Sequence, residues 1–526
     1  MGLILYNYIR MLSLHLIILS LVTLAFGKTD NRYYPCVSND IEFSPEVKSY
    51  WEKEDSGKKI ELQKRSNNTV FEYDNEKVYG VNLGGWLVTE PYITPSLYEN
   101  ALSDGETDDD IPVDEYHYCK KLGTKECESR LQDHWATFIN ETDFKQIKNW
   151  GFNTVRLPIG YWAFAHRKQD PFCFGQEEYL QKTIEWCRKY GLHVWVDLHG
   201  MPGSQNGFDN SGLRGDANWL NVTSNFELGN EVLYYIQDRY GKEEFNDVIS
   251  GIENVNEPIG PKISMRKLKK FDKNSYSQQR ATGSDNYFIY HDAFMSTGYW
   301  DDIFENGASI TGHTNFTYNN YTSSPSFKNL TDNQQSTYYN GTIYNSVLDH
   351  HRYEVFSVGS LSLNLTGHIS SLESFTSGVM NESAPVKIIG EWAAALTDCA
   401  KWLNGVGTES RYEGKFSSDT VIGKCTYSND YSKMSTQNKT DTRKLVEAQL
   451  DLFNKTNGFI FWCYKTENAI EFDLSKLIEH DLFPQPLSER KYPNVLKSSA
   501  SVITIRMNKL LTLEVALGVL VVLLTM

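Results

Sequence analysis

Short apolar runs recur along the chain, each followed by polar residues and then by a stretch with helical spacing. Val78 to Leu83 is the first such run and ends in Gly84-Gly85. From Glu128 to Trp150, Leu131, Trp135, Phe138, Ile139, Phe144 and Ile147 recur at helical spacing, and Gly151 marks a stop. Phe152 to Leu157 then predicts a short buried strand. Glu177 to Tyr190 predicts a helix closed by Gly191, and His193 to Leu198 the next strand. The rhythm continues through Val248 to Val255, Asn286 to His291, Ser346 to Asp349, Val386 to Gly390 and Gly458 to Cys463.

That makes eight strand candidates with polar residues gathered just after each. Eight βα units with polar strand ends describe a (β/α)8 TIM barrel with long loops, whose site lies at the C-terminal rim. A doubly wound sheet is the competing α/β layout, but no glycine-rich phosphate loop follows the first strand. One region, about 301–345, breaks the rhythm before the sixth strand: it is rich in Asn, Thr, Ser and Tyr and carries four glycosylation triplets. It reads as a glycosylated surface insertion that serves spacing and solubility.

The two ends read as targeting rather than fold. Arg10 precedes the apolar run Met11 to Phe26, and Ala25-Phe26-Gly27 supplies small residues at cleavage spacing, so 1–27 is expected to be a signal peptide. Residues 28–65 form an N-terminal extension ending in the dibasic Lys64-Arg65, as in processed propeptides. The barrel is expected over 66–497. Ser498 to Ser501, a spacer with Arg506 and Lys509, and the apolar tail Leu510 to Met526 have the layout of a lipid-anchor signal of the GPI type. The tail is short of the roughly 20 apolar residues of a spanning helix and carries Glu514. Together the ends predict a protein of the outer cell surface and wall, held to the membrane by lipid.

Eleven Asn-x-Ser/Thr triplets fit the secretory route: Asn67, Asn140, Asn221, Asn315, Asn320, Asn329, Asn340, Asn364, Asn381, Asn438 and Asn454. The net charge of −16 argues against a nucleic-acid partner. Eight cysteines are too sparse for a disulfide scaffold and lack metal-site spacing, although some disulfides are expected in an oxidising compartment. His199, His313, His350 and His351 show no ligand motif either, so no metal is expected.

Two carboxylates stand out. Asn256-Glu257-Pro258 ends the fourth strand and Glu391 ends the seventh, so the barrel brings both to one rim. A salt bridge is the commoner fate of a strand-end Glu. Retaining glycoside hydrolysis, however, needs such a pair about 5–5.5 Å apart, one as proton donor with a raised pKa and one as an ionised nucleophile. Arg156 is a charge inside the apolar strand Val155-Arg156-Leu157-Pro158 and must be paired. His199 follows Asp197-Leu198, and His351 and Tyr353 lie two apart, on one face of a strand. Trp86, Tyr92, Phe208, Tyr353, Phe356, Trp392, Trp462 and Tyr464 fall at or beyond strand ends, where rings stack on sugars or pack loops; Asp209 and Asn210 are placed to bind hydroxyls.

The stretches GVNLGGWLVTEPYITPSLYE, GFNTVRLPIGYWAF, VWVDLHGMPGSQNGFDNSG, NVNEP, DHHRYEVF, GEWAAALTDCAKWLNG, FWCYKTENAIEFD and LFPQPLSER carry a resemblance. With it the chain resembles the fungal exo-β-1,3-glucanases of glycoside hydrolase family five, from about residue 78 to 494. The resemblance implies Glu257 as acid/base and Glu391 as nucleophile. Arg156, His199, Asn256, His351 and Tyr353 would support the reacting sugar, and Phe208, Asp209, Asn210, Phe356 and Trp462 would line the pocket or its mouth. It implies release of glucose from non-reducing ends of β-1,3-glucan with retention and no cofactor; a monomer is expected, although the sequence does not give the oligomeric state. Internal cleavage, transglycosylation and glucan binding with little turnover are the alternatives. Three departures stand out. The insertion is long, Val495 stands where many relatives have a cysteine that would pair with Cys399, and Cys463 or Tyr464 stands where relatives often have Trp.

Overall fold

The computed structural model describes residues 40–55, 70–305, 309–313, 337–416, 420–427 and 430–496. Eight strands close into a barrel: β1 Val78–Asn82, β2 Thr154–Gly160, β3 His193–Gly200, β4 Ile249–Glu253, β5 Phe288–His291, β6 Ser346–Arg352, β7 Val386–Trp392 and β8 Gly458–Phe461. Each runs parallel to the next, and β8 pairs with β1. All eight coincide with the apolar runs of the sequence.

Among the described residues the helices of eight residues or more are α1 Pro45–Asp55, α2 Glu115–Leu122, α3 Thr124–Thr137, α4 Glu141–Asn149, α5 Gln176–Tyr190, α6 Thr223–Tyr240, α7 Met265–Ala281, α8 Leu365–Met380 and α9 Thr436–Phe453. The periodic stretch 128–150 is two helices, α3 and α4. Asn140 ends the first run by capping the second: its side chain accepts from the Thr142 N–H while Asp143 reaches back to the Asn140 N–H. The apolar spacing passes through the break because both helices rest on the same core.

Residues near the starts of six strands, Val78, Trp195, Ile289, Val347, Ile388 and Ile460, gather with Phe71 and Tyr73 into one apolar cluster that plugs the barrel from the N-terminal side. Towards the strand ends the buried interior turns polar, with Asn82, Arg156, Asp197, Glu253, His291, Asp349, His351 and Glu391. This change from apolar to ionisable along the strands creates the site.

Residues 40–55 belong to the same body. Ile41–Phe43 pairs antiparallel with Ala165–Arg167, and α1 buries Val47, Tyr50 and Trp51 in the main core. The insertion begins with a short helix, Asp301–Phe304, and contains an antiparallel strand pair, Ser309–His313 with Thr337–Thr342. The leader, the dibasic pair, the anchor signal, Cys36, Asn67, Asn315, Asn320 and Asn329 lie outside the described residues. Several other sequons occupy helix ends rather than loops: Asn140 and Asn364 are N-caps, Asn381 and Asn454 are C-caps. Among the described residues no helix is long and apolar enough to cross a membrane.

Among the described residues two disulfides are present, Cys119–Cys127 and Cys399–Cys425. Cys399 thus has a local partner and does not require a cysteine at position 495. Cys463 is a buried free thiol, and the Tyr464 hydroxyl donates to Asp143 away from the barrel mouth.

Candidate active site

Arg156 organises the rim. Its Nε donates to Glu253 at 2.8 Å and its Nη1 to Asn82 at 3.0 Å and Glu391 at 2.9 Å. Its Nη2 donates to Asn256 at 2.8 Å and lies 3.1 Å from Asp197. One buried cation therefore faces three carboxylates, and burial pushes Asp197 up to about 7 and Glu253 up to about 8 against the Arg156 charge. Charge in a strand interior is tolerated here because every guanidinium nitrogen has a partner.

Glu391 ends β7, with Arg156 on Oε1 and the Tyr353 hydroxyl donating to Oε2 at 2.7 Å. Glu257 follows β4 at φ 45°, a left-handed backbone that costs a non-glycine residue strain and occurs at functional sites. Gln205 braces this turn by donating to the Asn256 and His199 carbonyls at 2.9 and 2.8 Å. Asn210 Nδ2 donates to Glu257 Oε2 at 3.1 Å.

His351 joins the two carboxylates. Its Nδ1 lies 2.8 Å from Glu257 Oε1 and 3.3 Å from Glu391 Oε2, while Nε2 faces Asp349 at 3.3 Å. Burial opposes charge on this ring, but Glu391 and Asp349 outweigh it and hold His351 well above the usual histidine range. His199 is held by Asp197 at 2.6 Å and stacks on Trp462, ring centroids 5.7 Å apart. Burial, with Arg156 behind it, drives His199 down to about 3, so it stays neutral.

These groups open into a cavity of about 530 Å3. Glu90, Tyr92, Trp462 and Phe472 line it as buried residues, whereas Phe208, Phe294 and Phe356, 36 %, 40 % and 43 % exposed, stand at its mouth. Asp209, Asn210, Arg214 and Tyr353 complete the walls near the carboxylates, and Arg411 and Phe416 come from the loop closed by Cys399–Cys425. Three of the aromatic candidates lie elsewhere. Trp86 donates to the Trp135 carbonyl, Trp392 packs among Phe453, Phe459, Phe461 and Phe483, and Tyr464 binds Asp143. The side chains of Glu257, His291 and His351 lie within 4.8 Å of one another, as do those of Glu253, Asp349 and His351. The His351 nitrogens in both groups already bond the carboxylates.

Residues 118–413 match the model of the family Cellulase (glycosyl hydrolase family 5). This chain belongs to glycosyl hydrolase family 5. Similar proteins include a glucan 1,3-beta-glucosidase of Lachancea kluyveri, 45 % identical over 439 residues that cover 82 % of this chain and 92 % of the relative. Glucan 1,3-beta-glucosidase I/II of Saccharomyces cerevisiae is 44 % identical, covering 82 % of this chain and 91 % of the relative. The crystal structure of the rutinosidase from Aspergillus niger shares the fold, with a TM-score of 0.54, 18 % identity, and 79 % and 99 % of the two chains covered.

The protonation of this family 5 site departs from the expectation of a raised donor and an ionised nucleophile. Burial pushes Glu257 upward, but the His351 hydrogen bond and charge, with His199 and Asn210 behind them, hold it below the usual carboxylate range. Glu391 goes up to about 7, driven by burial and the Glu257 charge against His351 and Arg156. His351, held in its charged range, sits between the two carboxylates. Sequence reasoning also missed Glu90, Gln205 and Glu253. Glu253 carries the signal that singled out Arg156, a charge within an apolar strand. Glu90 and Gln205 lie in loops, where no periodicity marks them.

Proposed function

We propose that this chain is a retaining glycosidase that removes terminal β-1,3-linked glucose from the non-reducing ends of β-glucan. One observation carries the mechanism: a single nitrogen, His351 Nδ1, contacts both Glu257 and Glu391. The closest oxygens can then be no further apart than the sum of those two contacts, which falls short of the roughly 6.5–9.5 Å an inverting pair needs to hold water.

In this reading Glu391, oriented by Arg156 and Tyr353, attacks the anomeric carbon. The glycosidic oxygen leaves with a proton from Glu257. A sugar in the pocket strips water from Glu257 and raises its proton affinity, and the His351 proton is one hydrogen bond away. Glu257 then takes a proton from water, which attacks the glucosyl–Glu391 ester and restores the carboxylate. The cavity supports exo action: its inner end is lined by buried Glu90, Tyr92, Trp462 and Phe472, and its phenylalanines are exposed at the mouth. Glu90 Oε1 is buried without a protein partner among the described residues, an acceptor available to a terminal sugar hydroxyl. The linkage rests on the names of the relatives, glucan 1,3-beta-glucosidases.

Laminarin digestion followed by NMR tests the proposal. Glucose should be the first product and appear as the β-anomer. Initial α-glucose would overturn retention, and a ladder of internal oligosaccharides would overturn exo action. The cell-surface setting rests on the residue pattern of 1–27 and 498–526; release of the mature protein from membranes by a phosphatidylinositol-specific lipase tests it, and recovery of an intact Leu510–Met526 tail would refute it.

A further inference from the structure

Three sulfurs meet in the core beside the barrel. Cys119 on α2 and Cys127 on α3 form a disulfide, and the free thiol of Cys173, in the segment leading to α5, lies 3.9 Å from Cys127 Sγ. All three sulfurs fall within 4.8 Å of one another. Cys173 is fixed there rather than passing by: its neighbour Phe172 stacks on Trp162 with centroids 4.5 Å apart, and the Trp162 indole donates to Glu115 at 2.8 Å.

We propose that Cys127 can exchange its disulfide partner, from Cys119 to Cys173, making this cluster a two-state disulfide site. The Cys173 thiolate, its proton given to solvent, attacks Cys127 Sγ. The Cys127–Cys173 bond forms as Cys127–Cys119 breaks, and Cys119 leaves as a thiolate that takes up a proton. Nothing is oxidised or reduced overall, so no external oxidant is needed. Burial and the neighbouring Glu115 and Glu128 carboxylates hold the Cys173 thiol far above its ordinary range, which keeps the exchange slow at neutral pH.

The exchange reaches the pocket. α2 carries Cys119, and its first turn braces the pocket wall: Asp114 Oδ2 accepts from the Arg214 N–H at 2.7 Å and the Tyr116 N–H donates to the Gly212 carbonyl at 3.0 Å. Arg214 lines the cavity. Moving the cross-link to Cys173 frees α2 from α3 and ties α3 to the segment before α5, so the substrate affinity changes with the isomer.

The test uses the full secreted protein. It is held at pH 8.5 with substoichiometric glutathione, quenched in acid, alkylated in denaturant, and mapped by mass spectrometry without reduction. A Cys127–Cys173 peptide pair should appear beside Cys119–Cys127. Cys119→Ser should form Cys127–Cys173 throughout and show a raised KM with kcat little changed, whereas Cys173→Ser should keep only Cys119–Cys127. If Cys127 and Cys173 both remain alkylatable in oxidised Cys119→Ser, and wild type never yields the second pair, the exchange is refuted. An unchanged KM in Cys119→Ser would refute the link to the pocket; should that variant fail to fold, mapping of the wild type alone decides the exchange.

Discussion

At the residue scale, each oxygen of Glu391 is claimed by a donor, Arg156 on one and Tyr353 on the other, which leaves the carboxylate aimed rather than free to rotate. Glu391→Ala should therefore abolish turnover of glucan and of activated aryl glucosides alike, because neither can bypass the attack. Glu257→Ala should slow glucan hydrolysis by about 10²–10⁴-fold, the usual contribution of a general acid, while an aryl glucoside with a good leaving group loses far less in its first step. Steady-state kinetics on both substrates separate the roles; equal losses in Glu257→Ala would remove it as proton donor. Arg156 was readable in the sequence because a buried charge in an apolar strand requires partners. The proton order was not readable, since it depends on His351 sitting between two carboxylates from other strands.

At the scale of elements, the β6–β7 contact sets the position of His351. The Gly390 N–H donates to Asp349 Oδ1 at 2.8 Å, and a Cβ at position 390 would come within 2.2 Å of that oxygen. Asp349 in turn faces His351. Gly390→Ala should displace Asp349 and release His351, lowering kcat on the order of 10²-fold, the cost of about an ångström of misplacement. A variant that stays folded by circular dichroism yet keeps wild-type kcat would break this chain of contacts. The strands were legible because barrel strands are apolar on both faces. The division into α3 and α4 was not, because a cap at Asn140 leaves the apolar spacing intact.

For the whole molecule, several buried carboxyls set the pH response. Burial pushes Glu115 and Glu177 up to about 7, and Glu231, Asp272 and Glu471 up to about 8. Their folded pKa values exceed the unfolded ones, so the folded state binds more protons and its stability falls as pH rises through these values. His350, opposed by burial but bonded to Asp292 and Glu382, rises to about 9 and acts in the same direction above pH 6.5. The histidines that burial lowers, His134, His166, His193, His199 and His291, oppose this trend only near pH 6.5, where their unfolded imidazoles are still half charged. The melting temperature should drop between pH 6.5 and 8.5 in differential scanning fluorimetry; a flat or rising curve would contradict these environments. Fold class was legible at this scale from the count of apolar runs. The place of residues 40–55 was not, because a three-residue strand and one helix carry too little pattern to show what they pack on.

That N-terminal piece makes the body divisible without being separable. Between α1 and the first barrel strand the chain passes through residues 56–69, which include Lys64-Arg65. A protease cutting there would leave two polypeptides sharing one core, joined by the pairing of Ile41–Phe43 with Ala165–Arg167, by the Tyr50 hydroxyl on Asp238, and by buried Val47 and Trp51. The nicked molecule should elute from a sizing column as one particle and split into two bands only in denaturant. Maturation by cleavage and retention of the cleaved piece would then be compatible, and the small fragment would persist as a subunit of the mature glycosidase.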